Sequence, residues 1–354
     1  MTAAYSSFVP HSLMPDPVRP KGQTHVIGLR CPPLDTVRIA VIGLGNRGKG
    51  AVKRLSHVPH ARVTVMADVQ EDYVTKAQEI LEEEGGGTAE ALTDPEAWKA
   101  IVDREDVDLV YICAHWDLHT PIALAAMENG KHVAAELPAA LTVEEAWKLV
   151  DTAERTRRHC MMLENTNYDF FELTTLNMAQ QGLFGELIHA EGAYIHELRG
   201  MLFHETYYWD HWRLKQNRDL KGNLYPTHGL GPVAHAMNVH RGDRMTHLTC
   251  METDQFCITA YAKEKFGEDS PEAKETYRQG DMNTTMIRTE KGKTILIQHD
   301  VVSPRPYSRI HLLSGTKGIA RKYPSEAVSF SHEDGWLPEE ERKELLEKYE
   351  HPIA

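Results

Sequence analysis

The sequence is short of basic residues, of cysteine and of long apolar runs, and each shortage excludes a class of protein. Lysine and arginine number 39 against 52 aspartates and glutamates, which gives a formal net charge of −13. This balance repels phosphate backbones and anionic lipid surfaces, so we expect neither a nucleic-acid nor a membrane partner. No apolar run approaches the roughly 20 residues that a membrane-spanning helix needs.

The metal- and disulfide-forming residues give no recognisable pattern. The five cysteines are too few, and odd in number, for a disulfide scaffold. Two of them, Cys113 and Cys160, lie in apolar strand-like runs, where a small buried thiol is the ordinary interpretation. Histidine is plentiful at 20 residues, but the copies between 196 and 240 form neither HExxH nor a cysteine–histidine zinc spacing. The sequence therefore predicts no bound metal.

Length and composition indicate a folded chain of two domains. The 354 residues suffice for two domains at about 150 residues each. An apolar fraction of 41% excludes general disorder. Residues 1–35 form a predicted arm, rich in proline and serine, without the continuous apolar core of an intact secretory signal. As written the chain is expected to be cytoplasmic, and periplasmic or exported if a signal has been removed.

The order of predicted elements changes near residue 164. Over residues 36–163 strands alternate with helices, the pattern of a parallel sheet with right-handed crossovers, and Thr142 is a predicted N-cap. Over residues 164–354 the strand-like segments 188–195, 284–288, 294–299 and 308–313 are separated by long polar stretches. The predicted fold is therefore α/β. A doubly wound parallel Rossmann sheet is followed by an α/β domain with an open, mostly antiparallel sheet.

A glycine-rich turn lies between the first strand and the first helix. In this GxGxxG sequence Gly43 permits a tight turn, Gly45 lets the backbone approach a pyrophosphate, and Gly48 allows close helix–strand packing. Asp68 ends the second strand, where its carboxylate can accept hydrogen bonds from a ribose 2′-hydroxyl and repel a 2′-phosphate. The sequence predicts a bound dinucleotide, NAD rather than NADP. The alternative is a purely structural turn, with Asp68 merely ending a strand.

Two further loops follow predicted strands at the edge where open α/β sheets bind ligands. Their sequences are His-Trp-Asp-Leu-His at 115–119 and Glu-Leu-Pro at 136–138. Both are candidates for contact with cofactor or substrate. Trp116 could equally pack in a core or between domains, and His119 could cap a helix.

These residues together resemble the glucose–fructose oxidoreductase and inositol dehydrogenase superfamily. That superfamily pairs a Rossmann domain with an α/β domain whose open sheet covers the nicotinamide. Its Glu-Lys-Pro motif stands here as Glu136, Leu137 and Pro138. The lysine of that motif helps to handle the proton of the alcohol being oxidised, and leucine cannot do so. The difference disfavours an ordinary sugar dehydrogenase.

Sequence blocks in the second half resemble one branch, glycoside hydrolase family 109, the NAD-dependent N-acetylgalactosaminidases. The blocks that carry this resemblance lie at 164–168, 211–213, 222–232, 238–244 and 303–309. The longest contains Tyr-Pro-Thr-His at 225–228. The resemblance extends from about residue 37 to residue 323.

The resemblance implies a set of site residues. Those expected to contact NAD, besides the three glycines, are Asn46, Arg47, Asp68, Trp116, Asp117, Leu118, His119, Glu136, Leu137, Asn165, Arg213, Tyr225, Pro226, Thr227 and His228. Those expected to face the sugar are Tyr194, Tyr225 and Tyr307. Without the surrounding motifs, a half-buried tyrosine on a strand is more often a packing residue.

The resemblance also implies a glycosidase that needs no pair of acids. NAD⁺ takes a hydride from C3 of the sugar, the ketone acidifies C2, the C1 substituent is eliminated, water adds, and the hydride returns. We assign His228 to accept the C3 hydroxyl proton, since an imidazole titrates near pH 6.5. Tyr194 is the candidate C2 base, with Arg213 or the nicotinamide cation lowering its pKa. Tyr225 and Tyr307 are binders or alternative bases.

Two other functions remain open from sequence. One is a sugar or cyclitol oxidoreductase with net turnover of NAD, and the other is an NAD-binding protein without catalysis. Relatives are expected to continue beyond Ala354 with a Gly-Gly-His-Gly-Gly loop, whose histidine acts at the leaving group. Nothing after Tyr323 resembles that loop, so we expect either a truncated second domain or a protein without that group. By analogy with the superfamily we expect a homo-oligomer.

Overall fold

The computed structural model describes residues 18–330 and 335–354, which form two compact units. The first unit comprises Arg19–Glu164 together with Met201–Trp212. The second comprises Asn165–Gly200 and Arg213–Ala354. Within the described ranges, no helix combines the length and the apolar character needed to cross a membrane.

The first unit contains a parallel six-stranded sheet. Its strands are β1 (Val37–Ile42), β2 (Ala61–Ala67), β3 (Glu90–Leu92), β4 (Leu109–Ile112), β5 (His132–Ala135) and β6 (Cys160–Met162). Their spatial order is β3-β2-β1-β4-β5-β6, and every neighbouring pair is parallel. This is the doubly wound order, which reverses between β1 and β4 and opens a ligand crevice at the carboxyl ends of those strands. The predicted parallel Rossmann sheet is confirmed.

Helices connect these strands and give the sheet two apolar faces. They are α1 (Asn46–Leu55), α2 (Glu71–Glu83), α3 (Ala97–Asp103), α4 (Trp116–Glu128) and α5 (Val143–Thr156). Strand β1 shows why the buried part of its sequence, Ile39–Ile42, is apolar throughout. Ala40 and Ile42 belong to one buried core, whereas Ile39 and Val41 belong to the other. Alternate side chains of a strand point to opposite faces, so the part of a strand that is covered on both faces is apolar at every position.

The N-terminus of α5 is determined by the local sequence, which forms a helix cap. The Thr142 hydroxyl accepts a hydrogen bond from the Glu145 N–H at 3.1 Å. The Glu145 carboxylate in turn accepts the Thr142 N–H at 3.2 Å. This reciprocal capping box satisfies two amides that would otherwise lack partners. The predicted N-cap at Thr142 is confirmed.

The second unit contains a seven-stranded sheet. Its strands are β7 (Leu187–Ile195), β8 (Met245–Glu252), β9 (Asn283–Thr289), β10 (Thr294–Asp300), β11 (Leu312–Gly315), β12 (Ile319–Arg321) and β13 (Ala327–Ser329). Their order is β13-β12-β11-β7-β10-β9-β8. The pair β7 and β10 is parallel and the other pairs are antiparallel. The predicted mostly antiparallel sheet is confirmed.

The remaining helices follow the sixth strand in sequence. They are α6 (Phe170–Gln180), α7 (Arg199–Leu202), α8 (Trp212–Asp219), α9 (Thr227–Ala236), α10 (Cys257–Phe266), α11 (Pro271–Lys274) and α12 (Glu339–Lys348). The predicted strand 308–313 is wrong in its extent. Ser308 makes only an isolated bridge to Ile195, and Ile310 has a φ of 42°, which interrupts the extended chain before β11 begins.

Candidate active site

Three glycines of the first unit shape the turn between β1 and α1, and each has a different surrounding. A Cβ on Gly43 would lie 2.5 Å from the Ala114 nitrogen, and its φ is 90°. A Cβ on Gly48 would lie 1.9 Å from the carbonyl oxygen of Gly43. A Cβ on Gly45 would meet nothing within 4 Å. Gly43 and Gly48 are therefore required by the fold, whereas the space over Gly45 fits a ligand that approaches the backbone.

Hydrogen-bond groups at this turn suit a dinucleotide. Helix α1 begins at Asn46 without a side-chain cap and without an acidic residue in its first turn, so its N-terminal amides and dipole can face an anion. The Asp68 carboxylate accepts the Leu44 N–H at 2.6 Å and the Gln70 N–H at 2.8 Å. These bonds fix its orientation, and each oxygen retains a lone pair for a ribose hydroxyl. The residues fit the predicted NAD.

The loop after β5 places an ion pair beside this turn. The buried Glu136 carboxylate accepts the Nε–H of Arg47 at 2.8 Å and the hydroxyl of Tyr111 at 3.3 Å. Burial raises the pKa of Tyr111, so this phenol stays a donor. Leu137 follows and is 3% exposed. An alkyl side chain has no proton to exchange, so this position cannot act as the lysine does in sugar dehydrogenases.

His119 joins the two loops that were predicted to reach the cofactor. It is 1% exposed, and its ring nitrogens lie 2.8 Å from the Pro138 carbonyl and 2.9 Å from the Ala114 carbonyl. Burial lowers its pKa. It lies inside α4, so the alternative of a helix cap is wrong. The contacts give His119 a positioning role, and direct contact with NAD stays a prediction, as it does for Asp117 and Leu118 in the first turn of the same helix.

Aromatic contacts explain why Met201–Trp212 belongs to the first unit. The ring of Trp116 meets the edge of Trp212 at 5.3 Å, and the ring of His115 stacks on Trp212 at 5.4 Å. Tyr208 contacts the same indole at 5.3 Å. Trp116 is thus a packing residue, and cofactor contact by it stays a prediction. The contact between Trp116 and Trp212 was not predicted from sequence, because Trp212 lies 96 positions after Trp116 (212 − 116).

In the second unit, two glycines bring a helix and a strand into backbone contact. A Cβ on Gly192 of β7 would lie 2.2 Å from the Gly229 carbonyl oxygen. A Cβ on Gly229 of α9 would lie 2.3 Å from the Ala193 nitrogen. Because both residues lack a side chain, α9 lies directly against β7. Tyr194 and His228, the neighbours of this contact, therefore come together with ring centres 5.0 Å apart.

A cluster of tyrosines and histidines surrounds this contact. The ring of Tyr225 is 5.0 Å from that of Tyr194 and 4.9 Å from that of His228. The hydroxyl of Tyr194 lies 3.0 Å from Nδ1 of His196, whose ring is 5.0 Å from that of Tyr307. The structure thus brings together Tyr194, Tyr225, His228 and Tyr307, which were predicted separately. It adds His196, which sequence reasoning did not assign.

Charge and burial indicate which groups of this cluster can accept a proton and which can only donate a hydrogen bond. Burial and the positive charge of Arg213 lower the pKa of His196, so this imidazole is neutral and can accept a proton. Arg213 itself lies over the ring of Tyr225, with its guanidinium carbon 5.3 Å from the ring centre. Burial raises the pKa of Tyr307 to about 12. Tyr307 is therefore suited to donate a hydrogen bond rather than to act as a base.

Among the residues that the structure describes, three buried polar atoms near the Tyr-Pro-Thr-His block have no hydrogen-bond partner. They are Oγ1 of Thr227, Nδ2 of Asn223 and Oδ1 of Asn167. The hydroxyl of Thr166 donates to the His228 carbonyl at 3.0 Å, so the short helix Asn165–Tyr168 and α9 are joined here. Buried polar groups are nearly always satisfied, so this group indicates a ligand or water site. Thr227 was predicted as a contact and the two asparagines were not.

Two fully buried histidines of the second unit predict acid sensitivity. His299 faces Gln279 at 3.2 Å and His311 faces the Thr175 hydroxyl at 2.8 Å. Burial lowers the pKa of each from 6.5 to about 3. The unfolded chain therefore binds more protons between pH 6.5 and 3, and stability is lost as the pH falls through that window. We expect a loss of up to about 1.4 kcal/mol per pH unit for each histidine.

The acid sensitivity can be measured by urea unfolding at pH 7 and pH 5. The His311→Gln variant should show a shallower pH dependence, by about one proton, than the wild-type protein. Equal slopes for the two proteins would contradict the assignment of His311 as a buried neutral group.

Comparison with known proteins identifies the class of each half. Residues 37–164 match the family model of an oxidoreductase family with an NAD-binding Rossmann fold. Together with the strand order and the glycine turn, this match makes the chain an NAD-binding Rossmann enzyme. Residues 168–354 match the model of the C-terminal domain of glycosyl hydrolase 109.

Relatives of high identity complete the identification. The chain is 52% identical over 336 residues to an alpha-N-acetylgalactosaminidase of Bacteroides fragilis, covering 94% of this chain and 79% of that protein. It is 50% identical over 353 residues to a glycosyl hydrolase family 109 protein of Porphyromonas gingivalis, covering 95% and 74%. The chain belongs to glycosyl hydrolase family 109. The predicted family and the predicted NAD cofactor are confirmed, whereas the individual site residues stay predictions.

Solved structures support the fold alone. A levoglucosan dehydrogenase in complex with NADH and levoglucosan matches with a TM-score of 0.65 at 19% identity, covering 85% of this chain and 79% of that one. The scyllo-inositol dehydrogenase of Lactobacillus casei matches with a TM-score of 0.61 at 17% identity, covering 89% and 87%. The same two-part fold thus occurs in dehydrogenases, so the difference in chemistry must come from side chains.

Proposed function

We propose that this enzyme hydrolyses α-N-acetylgalactosaminides while NAD is used and regenerated in each turnover. The observation that carries the proposal is the cluster of Tyr194, His196 and His228 on the unit that matches the family 109 domain. The α-linked substrate follows from the name of the relative from Bacteroides fragilis, which is 52% identical. The buried Leu137 argues against net alcohol oxidation.

The proposed cycle begins with oxidation of the sugar. NAD held by Asp68 and the turn at Gly45 would supply a hydride acceptor for C3 and a hydride donor at the end of the cycle. His228 accepts the proton of the C3 hydroxyl, because its ring belongs to the cluster and an imidazole nitrogen can accept a proton. The C3 ketone makes the hydrogen on C2 acidic, which is the purpose of the first step.

Tyr194 and His196 carry out the second proton transfer in this proposal. The hydroxyl of Tyr194 passes its proton to Nδ1 of the neutral His196, and the resulting phenolate removes the C2 proton. The electron pair of the C2–H bond forms a C1–C2 double bond as the C1–O bond breaks, and protonated His196 gives its proton to the departing oxygen. Water then adds to C1 and gives a proton to His196, the proton held by Tyr194 returns to C2, and His196 reprotonates the phenolate. His228 returns its proton to the C3 oxygen when the ketone is reduced. Arg213, close to Tyr225, stabilises the phenolate by its positive charge.

The assay that tests this function measures sugar release and NADH in the same cuvette. We expect the NAD-loaded enzyme to release p-nitrophenol from p-nitrophenyl α-N-acetylgalactosaminide without a rise in NADH. The β-anomer and the corresponding galactosides serve as comparison substrates. A stoichiometric rise in NADH would instead indicate a sugar oxidoreductase, and a failure to act on any of these glycosides would indicate an NAD-binding protein without this activity.

Among the predicted partners, only the sugar substrate is supported, because a glycosidase implies one. The homo-oligomer and the lack of nucleic-acid and membrane partners stay predictions from resemblance and from the net charge of −13. Size-exclusion chromatography with light scattering measures the first of these directly.

A further inference from the structure

We propose that Cys31, His132 and His159 form a binding site for Zn²⁺ that fastens the segment 18–36 to the first unit. One ligand atom of each residue, the thiol sulfur or a ring nitrogen, lies within 4.8 Å of the other two. The cysteine is a free thiol. The proposal is independent of the glycosidase function, because none of the three residues takes part in the mechanism described above.

The two histidines are held in place by strands. His132 is the first residue of β5, and its N–H donates to the Asp108 carbonyl at 2.9 Å. The carbonyl of His159, next to β6, accepts the Val133 N–H at 2.9 Å. The two imidazole rings lie 5.0 Å apart. A pair of ligands fixed by a sheet loses little freedom on binding a metal, which favours binding.

One hydrogen bond selects the nitrogen that would bind the ion. The N–H of His159 donates to Nδ1 of His132 at 3.0 Å. This bond favours the tautomer with the hydrogen on Nε2 and the lone pair on Nδ1. Nδ1 of His132 is therefore the ligand atom, and the metal replaces a single backbone N–H as its partner.

The donor set determines the class of metal. One thiolate and two imidazoles are ligands that Zn²⁺ prefers, whereas Mg²⁺ and Ca²⁺ require oxygen ligands. Three protein ligands leave the fourth tetrahedral position of Zn²⁺ for water. No spacing in the sequence indicated this site, because Cys31 precedes β1, His132 begins β5 and His159 precedes β6.

The site lies at the opposite end of the strands from the cofactor turn. His132 and His159 stand at the amino ends of β5 and β6, whereas a Rossmann sheet binds its dinucleotide at the carboxyl ends. The ion would therefore act on structure rather than on catalysis. Its effect would be to hold the segment 18–36, whose other end is already bound where Arg19 pairs with Asp151 and Glu154.

Cobalt substitution tests the ligand set directly. With the reduced, full-length protein we expect one equivalent of Co²⁺ to give a thiolate-to-cobalt charge-transfer band, which Zn²⁺ abolishes by displacement. Cys31→Ser should remove the band. His132→Gln and His159→Gln should weaken Zn²⁺ binding by roughly tenfold or more. The matched controls are His25→Gln, an exposed histidine of the same segment, and Cys250→Ser, an exposed cysteine of the second unit.

Limited trypsin digestion supplies a second readout that does not involve activity. Zn²⁺ should slow cleavage after Arg30 in the wild-type protein and in both controls, and should have no such effect in Cys31→Ser. Unchanged melting temperatures without metal show that the variants fold. A Co²⁺ spectrum without a thiolate band, or equal Zn²⁺ affinity in wild type and Cys31→Ser, would overturn the proposal, even if the glycosidase assay succeeds.

Discussion

Tyr194→Phe is expected to lower kcat by about 10²- to 10⁴-fold, the usual contribution of a general base. Phenylalanine keeps the ring that packs against Tyr225 and His228 at 5.0 Å but removes the oxygen that lies 3.0 Å from Nδ1 of His196. The fold should therefore persist while the C2 proton can no longer be removed. Steady-state hydrolysis of the α-linked chromogenic substrate measures the loss.

Isotope exchange distinguishes this role from a general effect on the site. In D₂O the wild-type enzyme should exchange the C2 hydrogen of N-acetylgalactosamine, and Tyr194→Phe should not, although oxidation at C3 can still be detected as NADH on the enzyme. Tyr277→Phe is the matched control, because Tyr277 is also buried and its hydroxyl also makes a hydrogen bond, to the Glu272 carbonyl. Wild-type exchange in Tyr194→Phe would show that another group is the base.

The first unit could be predicted from sequence because its signals are local. Apolar strands, the glycine turn and the Thr142 cap each fall within a few residues, and the alternation of strands with helices predicts a parallel sheet with right-handed crossovers. Helix α9 shows the opposite case. It contains Gly229, Gly231 and Pro232, which disfavour a helix by intrinsic propensity. The contact of Gly229 with Gly192 on β7 decides the structure there, and that contact is 37 residues away in sequence (229 − 192).

The residues of the candidate site likewise include some that the sequence predicted and some that it did not. Tyr225, Tyr307 and His228 were predicted because they lie in motif blocks, and Tyr194 was predicted from the family resemblance, whereas His196 was not predicted. A signal for His196 did exist, because residues i and i+2 of a strand share a face and Tyr194 lies near the end of β7. No comparable signal existed for the packing of Trp116 on Trp212. Asn167 and Asn223 lie in motif blocks, but their unpaired atoms emerge only when the chain is folded.

Gly45→Val is expected to weaken cofactor binding without damage to the fold. Gly45 has a φ of −58°, which valine can adopt, and its Cβ would point into open space. The apo protein should therefore melt at the wild-type temperature. A bound pyrophosphate must approach this backbone, so the added methyl groups should cost at least about 1–3 kcal/mol of NAD affinity, roughly tenfold or more. Hydrolysis should fall with NAD content and recover in part when NAD is added in excess.

Gly48→Ala provides the contrast that makes this result specific. Its Cβ would lie 1.9 Å from the Gly43 carbonyl oxygen, so it should lower the melting temperature of the apo protein as well as its NAD content. The two variants thus separate a glycine needed by the ligand from one needed by the fold. NAD content is measured by denaturing the purified protein and quantifying the released nucleotide. If Gly45→Val keeps full NAD content, the dinucleotide does not bind over this turn. If it loses NAD yet hydrolyses the substrate at the wild-type rate, cleavage does not pass through a C3 ketone.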